Sequence, residues 1–260
     1  MKHILITNDD GYESAGLKAL AEALSPLGKI TVVAPATEKS ACGHSLTLTR
    51  PLRLVNVDDD FYKVDDGTPT DCVFVSLNNL FKEDKKPDLV VSGINIGSNM
   101  GEDITYSGTA SAAMEAVLQG VPAIAISQVC NDHNTINNGW DFALAKKSIH
   151  DIVKKILEGS FPLDKRKFLN INIPQTSIEE CKGMRISKVG YREYGNDTQR
   201  HVNPRGEEYY WIGIHPLIWK KSEDSSCDFE TIKENYVSIT PIHLDMTSHN
   251  DIDILKEWLN

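Results

Sequence analysis

The stretch Ile4-Leu5-Ile6-Thr7-Asn8-Asp9-Asp10-Gly11 is an apolar run that stops on two adjacent carboxylates and a glycine. Such a run, closed by a turn residue, predicts a buried parallel strand with Asp9 and Asp10 at its carboxyl end. Open α/β sheets bind ligands in the crevice outside those strand tips. Neighbouring side chains on a regular strand point to opposite faces, so an irregular turn at Asn8 or Asp9 is needed before both carboxylates can converge. Like charges that close repel, and a hard divalent cation relieves the repulsion. The local sequence equally allows one Asp to cap the following helix while the other stays solvated.

Downstream, Leu17, Leu20, Ala21 and Leu24 share one helical face, and Pro26 with Gly28 ends the helix. Ile30-Thr31-Val32-Val33-Ala34 is a second buried strand stopped by Pro35, giving a β-α-β unit with a right-handed crossover. No G-x-G-x-x-G follows the first strand, and acid stands where a dinucleotide fingerprint would be. Residues 36–50 form a polar loop that leaves the second strand over the same crevice and carries Ser40, Gly43 and His44. A lone Ser or His in such a loop is ordinarily a solvated surface residue.

Residues 51–64 alternate as a β-excursion, and Thr68-Pro69-Thr70-Asp71 is a helix-capping signal. Leu89-Val90-Val91-Ser92-Gly93 is the next strand and runs into a glycine-rich loop, Gly93 to Gly101, suited to close backbone approach to a ligand. Tyr106-Ser107-Gly108-Thr109 opens a helix whose free N–H groups could take a phosphate, or whose Ser107 or Thr109 could simply cap it. Strands at 122–127 and 168–173 flank a strongly amphipathic helix over 142–157. Strands alternating with helices predict an α/β fold, a Rossmann-like, doubly wound and mainly parallel sheet. The pattern changes after Met184, dividing the chain into a core, 1–184, and an extension, 185–260, with a hairpin and a terminal helix. Tyr209, Tyr210 and Trp211 crowd one hairpin arm, to be packed on a partner subunit or on the chain's own core.

With 260 residues, 40% hydrophobic and 25% charged, the chain can bury a sizeable core. A net charge of -10 argues against binding nucleic-acid polymers. The five cysteines are dispersed, without a C-x-x-C pair, and fit a reducing compartment and no zinc site. The apolar run after Met1 is too short for a signal peptide and no segment is long enough to span a bilayer, so the expected location is the cytoplasm.

These residues resemble the SurE family, stationary-phase survival proteins with metal-dependent 5'-nucleotidase and acid phosphatase activity. The resemblance rests on Ile4 to Gly11, Val33-Ala34-Pro35 with Ser40, Gly67 to Cys72, Val91 to Asn95 with Gly97, Asn99 and Gly101, Tyr106 to Thr109, and Tyr236 to Pro241. It implies one divalent ion, Mg²⁺ or Mn²⁺, held by Asp9, Asp10, Ser40 and Asn95. It places Asn8, Gly43, Asn99, Ser107, Gly108 and Thr109 around the phosphate. It further implies dimers or tetramers with the extension exchanged between subunits, and hydrolysis of nucleoside 5'-monophosphates, with 3'-monophosphates or short polyphosphate as further substrates. Ser14-Ala15-Gly16, Ser40-Ala41 and Cys227-Asp228 depart from the family's usual Ala-Pro-Gly, Ser-Gly and Thr-Asp, and none removes an expected ligand.

An all-oxygen set of carboxylates, hydroxyl and amide suits Mg²⁺ or Mn²⁺ and is poor for zinc. It points to direct attack by an activated water, with Asp9 and Asp10 as the catalytic carboxylates. A non-catalytic nucleotide-binding regulatory module would share the fold and the phosphate loop. It would leave the ring of oxygen donors at the strand ends unexplained.

Overall fold

Alternation along β1 (His3–Thr7) sends Ile4 and Ile6 to one face of the sheet and Leu5 to the other. Both faces are covered by helices, which is why the run is apolar throughout rather than alternating. This is a computed structural model that describes residues 1–81, 85–130, 140–195, 197–213, 218–220 and 226–260.

On one face lie α1 (Ala15–Leu24) and α5 (Ala143–Glu158), which pack Leu17, Leu20, Leu24, Ile149 and Val153 on Ile4, Ile6 and Val91. On the other, α2 (Pro69–Val75) and α4 (Gly108–Leu118) pack Cys72, Val73, Ala113 and Val117 on Leu5, Val90 and Phe168. Each fully buried large aliphatic side chain contributes roughly 1.5–3 kcal/mol. The α1 helix is capped by Ser14, whose hydroxyl accepts from Leu17 N. Neither aspartate caps it, so the solvated-cap reading of the acidic pair fails.

The remaining strands are β2 (Lys29–Pro35), β3 (Arg53–Asp58), β4 (Phe61–Asp65), β5 (Leu89–Ile96), β6 (Ala123–Gln128), β7 (Lys167–Ile173), β8 (Met184–Ile186), β9 (Arg192–Glu193), β10 (Asp197–Val202), β11 (Glu208–Gly213), β12 (Ile218–Trp219) and β13 (Val237–His243). Three short helices complete the described elements: α3 (Asp103–Tyr106), α6 (Asp228–Lys233) and α7 (Ile252–Leu259). The main sheet has nine strands in the order β3-β4-β2-β1-β5-β6-β7-β13-β8. From β1 the chain winds outward through β2, then returns to lay β5, β6 and β7 on the opposite side, all parallel. The switch point is therefore between β1 and β5, where an open α/β sheet leaves its ligand crevice.

The β5 strand does not pair evenly with β6, because the register shifts between Ser92 and Asn95. Gly93 lies in that irregularity, and a Cβ there would fall 2.2 Å from Ile126 O. The bulge falls where the β1 pairing has ended, at Ser92, and β5 resumes its ladder with β6 at Asn95, a local irregularity of the kind found beside functional sites.

The boundary expected at residue 184 cuts through the sheet. Strand β13 pairs antiparallel with β7 and parallel with β8, so residues beyond 184 build its far edge. The hydrophobic run Val237–Ile239 belongs to the same core as Ile171 and Ile173. Among the described residues, what stands off the main sheet is the β10–β11 hairpin, the two-stranded β9–β12 pair and α7. Truncation after Met184 therefore bares the whole backbone edge of β7, and the expected product is insoluble. A soluble, cooperatively melting 1–184 fragment would overturn this account of the edge.

Candidate active site

Asp9 leaves the tip of β1 and is 4% exposed. Its carboxylate turns to the start of α4, where Oδ2 accepts Thr109 N–H at 3.0 Å and Oδ1 accepts the Thr109 hydroxyl. A Cβ on Gly108 would fall 2.8 Å from Asp9 Cβ and 3.0 Å from Pro69 Cγ, so only glycine allows this approach. Burial pushes the Asp9 carboxyl above the usual range even though both Thr109 bonds favour the charged form. Asp10 turns the other way, toward β5, with Oδ2 at 3.4 Å from Ile96 N. Burial and then the neighbouring Asp9 charge push the Asp10 carboxyl up to about 7.

The two carboxylates thus occupy the switch point side by side, one anchored to α4 and one beside β5. Asn95, also at the end of β5, donates Nδ2 to Gly97 O at 2.8 Å, an orientation that keeps its amide oxygen as acceptor. The loop after β2 is tied in by Lys39 N–H donating to Asp9 O at 2.7 Å. Ser40 follows directly, exposed, with its hydroxyl on Glu38 Oε1 at 2.9 Å. Glu38, which the sequence pattern does not single out, adds a third negative charge that raises both aspartates further.

The expected phosphate residues divide into two groups. Ser107 caps α4 by accepting Ala110 N–H at 3.0 Å, and its hydroxyl hydrogen stays available as a donor. Gly108 supplies the first N–H of the helix, one of the groups every α-helix leaves without an internal partner. Thr109, by contrast, directs both its donors at Asp9, which makes it an orienting residue for the carboxylate. Gly43 N–H is engaged by Tyr106 O at 2.9 Å, fastening the loop to the segment before Ser107. Asn99 is buried and donates Nδ2 to Ser127 Oγ at 2.8 Å, while Asn170 and Asn172 donate to its backbone oxygen. Its side chain holds the glycine-rich loop to β6 rather than presenting a donor outward. Asn8 donates to Gly11 O at 3.0 Å and to Ser14 Oγ at 2.8 Å, shaping the turn after the acids.

His44 is a surface residue, as expected of a loop histidine, but it is also paired: Nε2 lies 2.9 Å from Oε2 of Glu115, a buried carboxylate on α4. Asp71 both closes the capping box of α2 and accepts the Thr47 N–H and hydroxyl at 2.9 and 2.6 Å. The loop over the crevice is therefore pinned at Lys39, Gly43, His44 and Thr47. The capping half of the Asp71 role is legible in Thr68-Pro69-Thr70-Asp71, but its grip on a residue 24 positions away is not.

The donor chemistry fits a hard cation. Among the described residues no three His, Cys, Asp or Glu side chains gather as a metal site, so such an ion would draw on Asp9 and Asp10 plus the neutral oxygens of Asn95 and Ser40. Asn8 Oδ1 is buried at the same strand tip without a hydrogen-bond partner among the described residues, an acceptor left over in a crevice already rich in acceptors.

Comparison with known proteins identifies the family. The family model described as Survival protein SurE matches residues 4–196. Over the full length of both chains, the sequence is 71% identical to the 5'-nucleotidase SurE of Aliarcobacter butzleri strain RM4018. It is 63% identical to the 5'-nucleotidase SurE of Sulfurovum sp. strain NBC37-1, covering 100% of this chain and 98% of that one. The crystal structure of the SurE protein from Aquifex aeolicus superposes with a TM-score of 0.82 at 41% identity, covering 99% of this chain and 100% of that one. A carboxylate pair at the switch point of this sheet, facing the start of a buried helix, thus sits in a chain that belongs to the SurE family.

Proposed function

We propose that this chain is a divalent-metal-dependent 5'-nucleotidase that hydrolyses nucleoside 5'-monophosphates to nucleoside and phosphate, with 3'-monophosphates and short polyphosphate as further substrates. The activity follows the names of its full-length relatives, and the observation that carries the mechanism is the buried Asp9 carboxylate held against Gly108 and Thr109. Asp9, Asp10, Asn95 and Ser40 would hold the ion, Mg²⁺ or Mn²⁺. When bound, the ion offsets phosphoryl charge and makes a water more acidic and more nucleophilic.

The protein's own residues do the positioning. Gly108 N–H and the Ser107 hydroxyl, at the positive end of the α4 dipole, bind phosphoryl oxygens and stabilise the charge that develops there. Thr109 fixes Asp9 in one rotamer, and the Ile96 N–H steers Asp10, so neither carboxylate must reorganise during the reaction. The pinned loop, residues 36–47, covers the crevice and limits its water. Attack is by water, with no phosphoenzyme, because both carboxylates serve the ion.

Phosphate release from nucleoside 5'- and 3'-monophosphates, measured with Mn²⁺, with Mg²⁺ and with EDTA, tests this reading. EDTA is expected to abolish turnover, and Asp9→Asn to reduce kcat by about 10²–10³-fold. Gly108→Ala, which drives a methyl group into Asp9, should lower kcat/KM about 10²-fold. Nucleotide binding by the folded protein without release under any metal would favour the regulatory-module alternative.

The acidic pair also sets a pH dependence of stability. A carboxyl raised from about 4 in the unfolded chain stabilises the fold while protonated, and that contribution is lost as pH climbs toward about 7 for Asp10. Metal-free protein is therefore expected to become less stable between pH 4 and 7, by denaturant midpoint. Asp10→Asn should flatten this decline and gain about 1–2 kcal/mol at pH 8. An unchanged slope in Asp10→Asn would show that the pair is not the source.

The proposal includes a homo-oligomer, dimer or tetramer. On α7, Ile254, Leu255, Trp258 and Leu259 are all exposed, and Trp211 and Ile212 are exposed on β11. Apolar surface of that extent supports the reading that these elements meet another copy of the chain. Trp258→Asp with Leu259→Asp should reduce the particle mass by sedimentation equilibrium; an unchanged mass would remove α7 from the interface.

A further inference from the structure

Among the described residues, those beyond Met184 grip the segment from the end of the glycine-rich loop, Gly101, to Tyr106, just before Ser107. Asp228, fully buried at the start of α6, accepts three backbone N–H groups: Gly190 and Phe229 on Oδ1, and Gly101 on Oδ2, each at 2.9 Å. The Arg192 side chain, 6% exposed, places Nη2 2.9 Å from Asp103 Oδ2 and lies over the Phe229 ring at 4.8 Å. The Arg192 N–H donates to the Glu102 carboxylate. Tyr194 donates its hydroxyl to Asp103 Oδ1 at 2.6 Å, and its ring meets Tyr106 edge-on at 5.9 Å.

The segment gripped this way has little structure of its own. Helix α3 is a single turn of four residues, below the length at which a helix sustains itself. Both of its ends are tied to the candidate site: Asp103 O accepts Ser107 N–H at 3.0 Å, and Tyr106 O accepts Gly43 N–H of the loop at 2.9 Å. Where α3 stands therefore fixes where the α4 cap and the Gly43 loop stand.

We propose that Asp228, Arg192 and Tyr194 are positioning residues of the active site, clamping Gly101–Tyr106 so that Ser107 and Gly108 meet the phosphate in register, with the Gly43 loop fastened beside them. The extension is then a working part of the catalytic machinery as well as a platform for subunit contact. This rests on the assignment of Ser107 and Gly108 to the phosphate.

Asp228→Asn is the discriminating variant. Its amide can keep an oxygen on Gly190 and Phe229 only by turning NH₂ toward Gly101 N–H, donor against donor, which severs the link to the crevice alone. Tyr194→Phe removes one bond to Asp103 and keeps the ring on Tyr106. Ser187→Ala, which breaks bonds to Thr231 and Ser238 of 3.1 and 3.0 Å within the extension, serves as the control for general loosening. The readouts are kcat, KM, the inhibition constant of inorganic phosphate and Tm on the full chain with Mn²⁺.

Asp228→Asn is expected to lower kcat about 10–100-fold and weaken phosphate inhibition. Tyr194→Phe should lower kcat about threefold or more. Ser187→Ala should lower Tm yet leave both constants within about twofold. Folded Asp228→Asn and Tyr194→Phe proteins with kcat and phosphate inhibition unchanged would overturn the proposal, and Tyr194→Phe decides alone where Asp228→Asn fails to fold. Ser107→Ala with unchanged phosphate inhibition would fault the phosphate assignment, while the kcat comparison still decides the clamp.

Discussion

A carboxylate out of water is the constraint around which this molecule is built. Asp9 sits at 4% exposure, and an ionised carboxyl there is tolerable only with donors aimed at it. The chain supplies them from one residue, Thr109, and from the positive end of α4. For those bonds to form, β1 and α4 must approach until no Cβ fits between them, which fixes glycine at 108. The buried small-residue face of α4, Ala110, Ala113 and Ala116, lets the helix settle that deeply on β5 and β6, with its first turn against Asp9. The sheet order, the α4 composition and the Gly108 gap are thus answers to the same demand.

The loops around the pair have a different logic. Segments leaving the strand tips carry backbone donors and acceptors that no ladder satisfies, and each must find a partner. Here the partners are side chains distant in sequence: Asp71 for Thr47, Asn170 and Asn172 for Asn99, and Asp228 for Gly101. His44 adds a side-chain tie to Glu115. Each bond contributes about 1 kcal/mol, more where a charge takes part. Together they hold irregular backbone still over a crevice whose own charges repel.

The legible part of the molecule was the part governed by local periodicity and by strand ends. The β1 run, the amphipathic stripe of α5 and the capping box at Thr68 announced themselves, and with them the doubly wound sheet and the place of Asp9, Asp10 and Asn95. The adjacent carboxylates were visible, but not that each would be held by a different element. Thr109 reads as a cap or a phosphate donor because both its donors look free in sequence, and only the approach of the first turn of α4 to the tip of β1 assigns them to Asp9. Strand β13 read as part of an extension because a hydrophobic run says that a strand is buried, not which edge it joins. His44 and Glu115 are 71 residues apart and carry no shared pattern, so only the fold could pair them.

The same assignment bears on why a cation belongs in the proposed mechanism. With Thr109 turned to Asp9 and Gly43 N–H turned to Tyr106, the α4 end keeps Gly108 N–H and the Ser107 hydroxyl for a phosphate. Hydrogen bonds of that kind, neutral donors to a charged acceptor, contribute about 1.5–3 kcal/mol each. A phosphate dianion entering beside Asp9, Asp10 and Glu38 meets repulsion of at least that size over a few ångströms even at a surface-like dielectric. A helix terminus with two donors does not offset that field, whereas a divalent ion between the carboxylates and the phosphoryl oxygens reverses its sign. In the proposed mechanism, relief of the repulsion between two acids buried side by side would contribute to binding the ion, and the ion would in turn hold the anion.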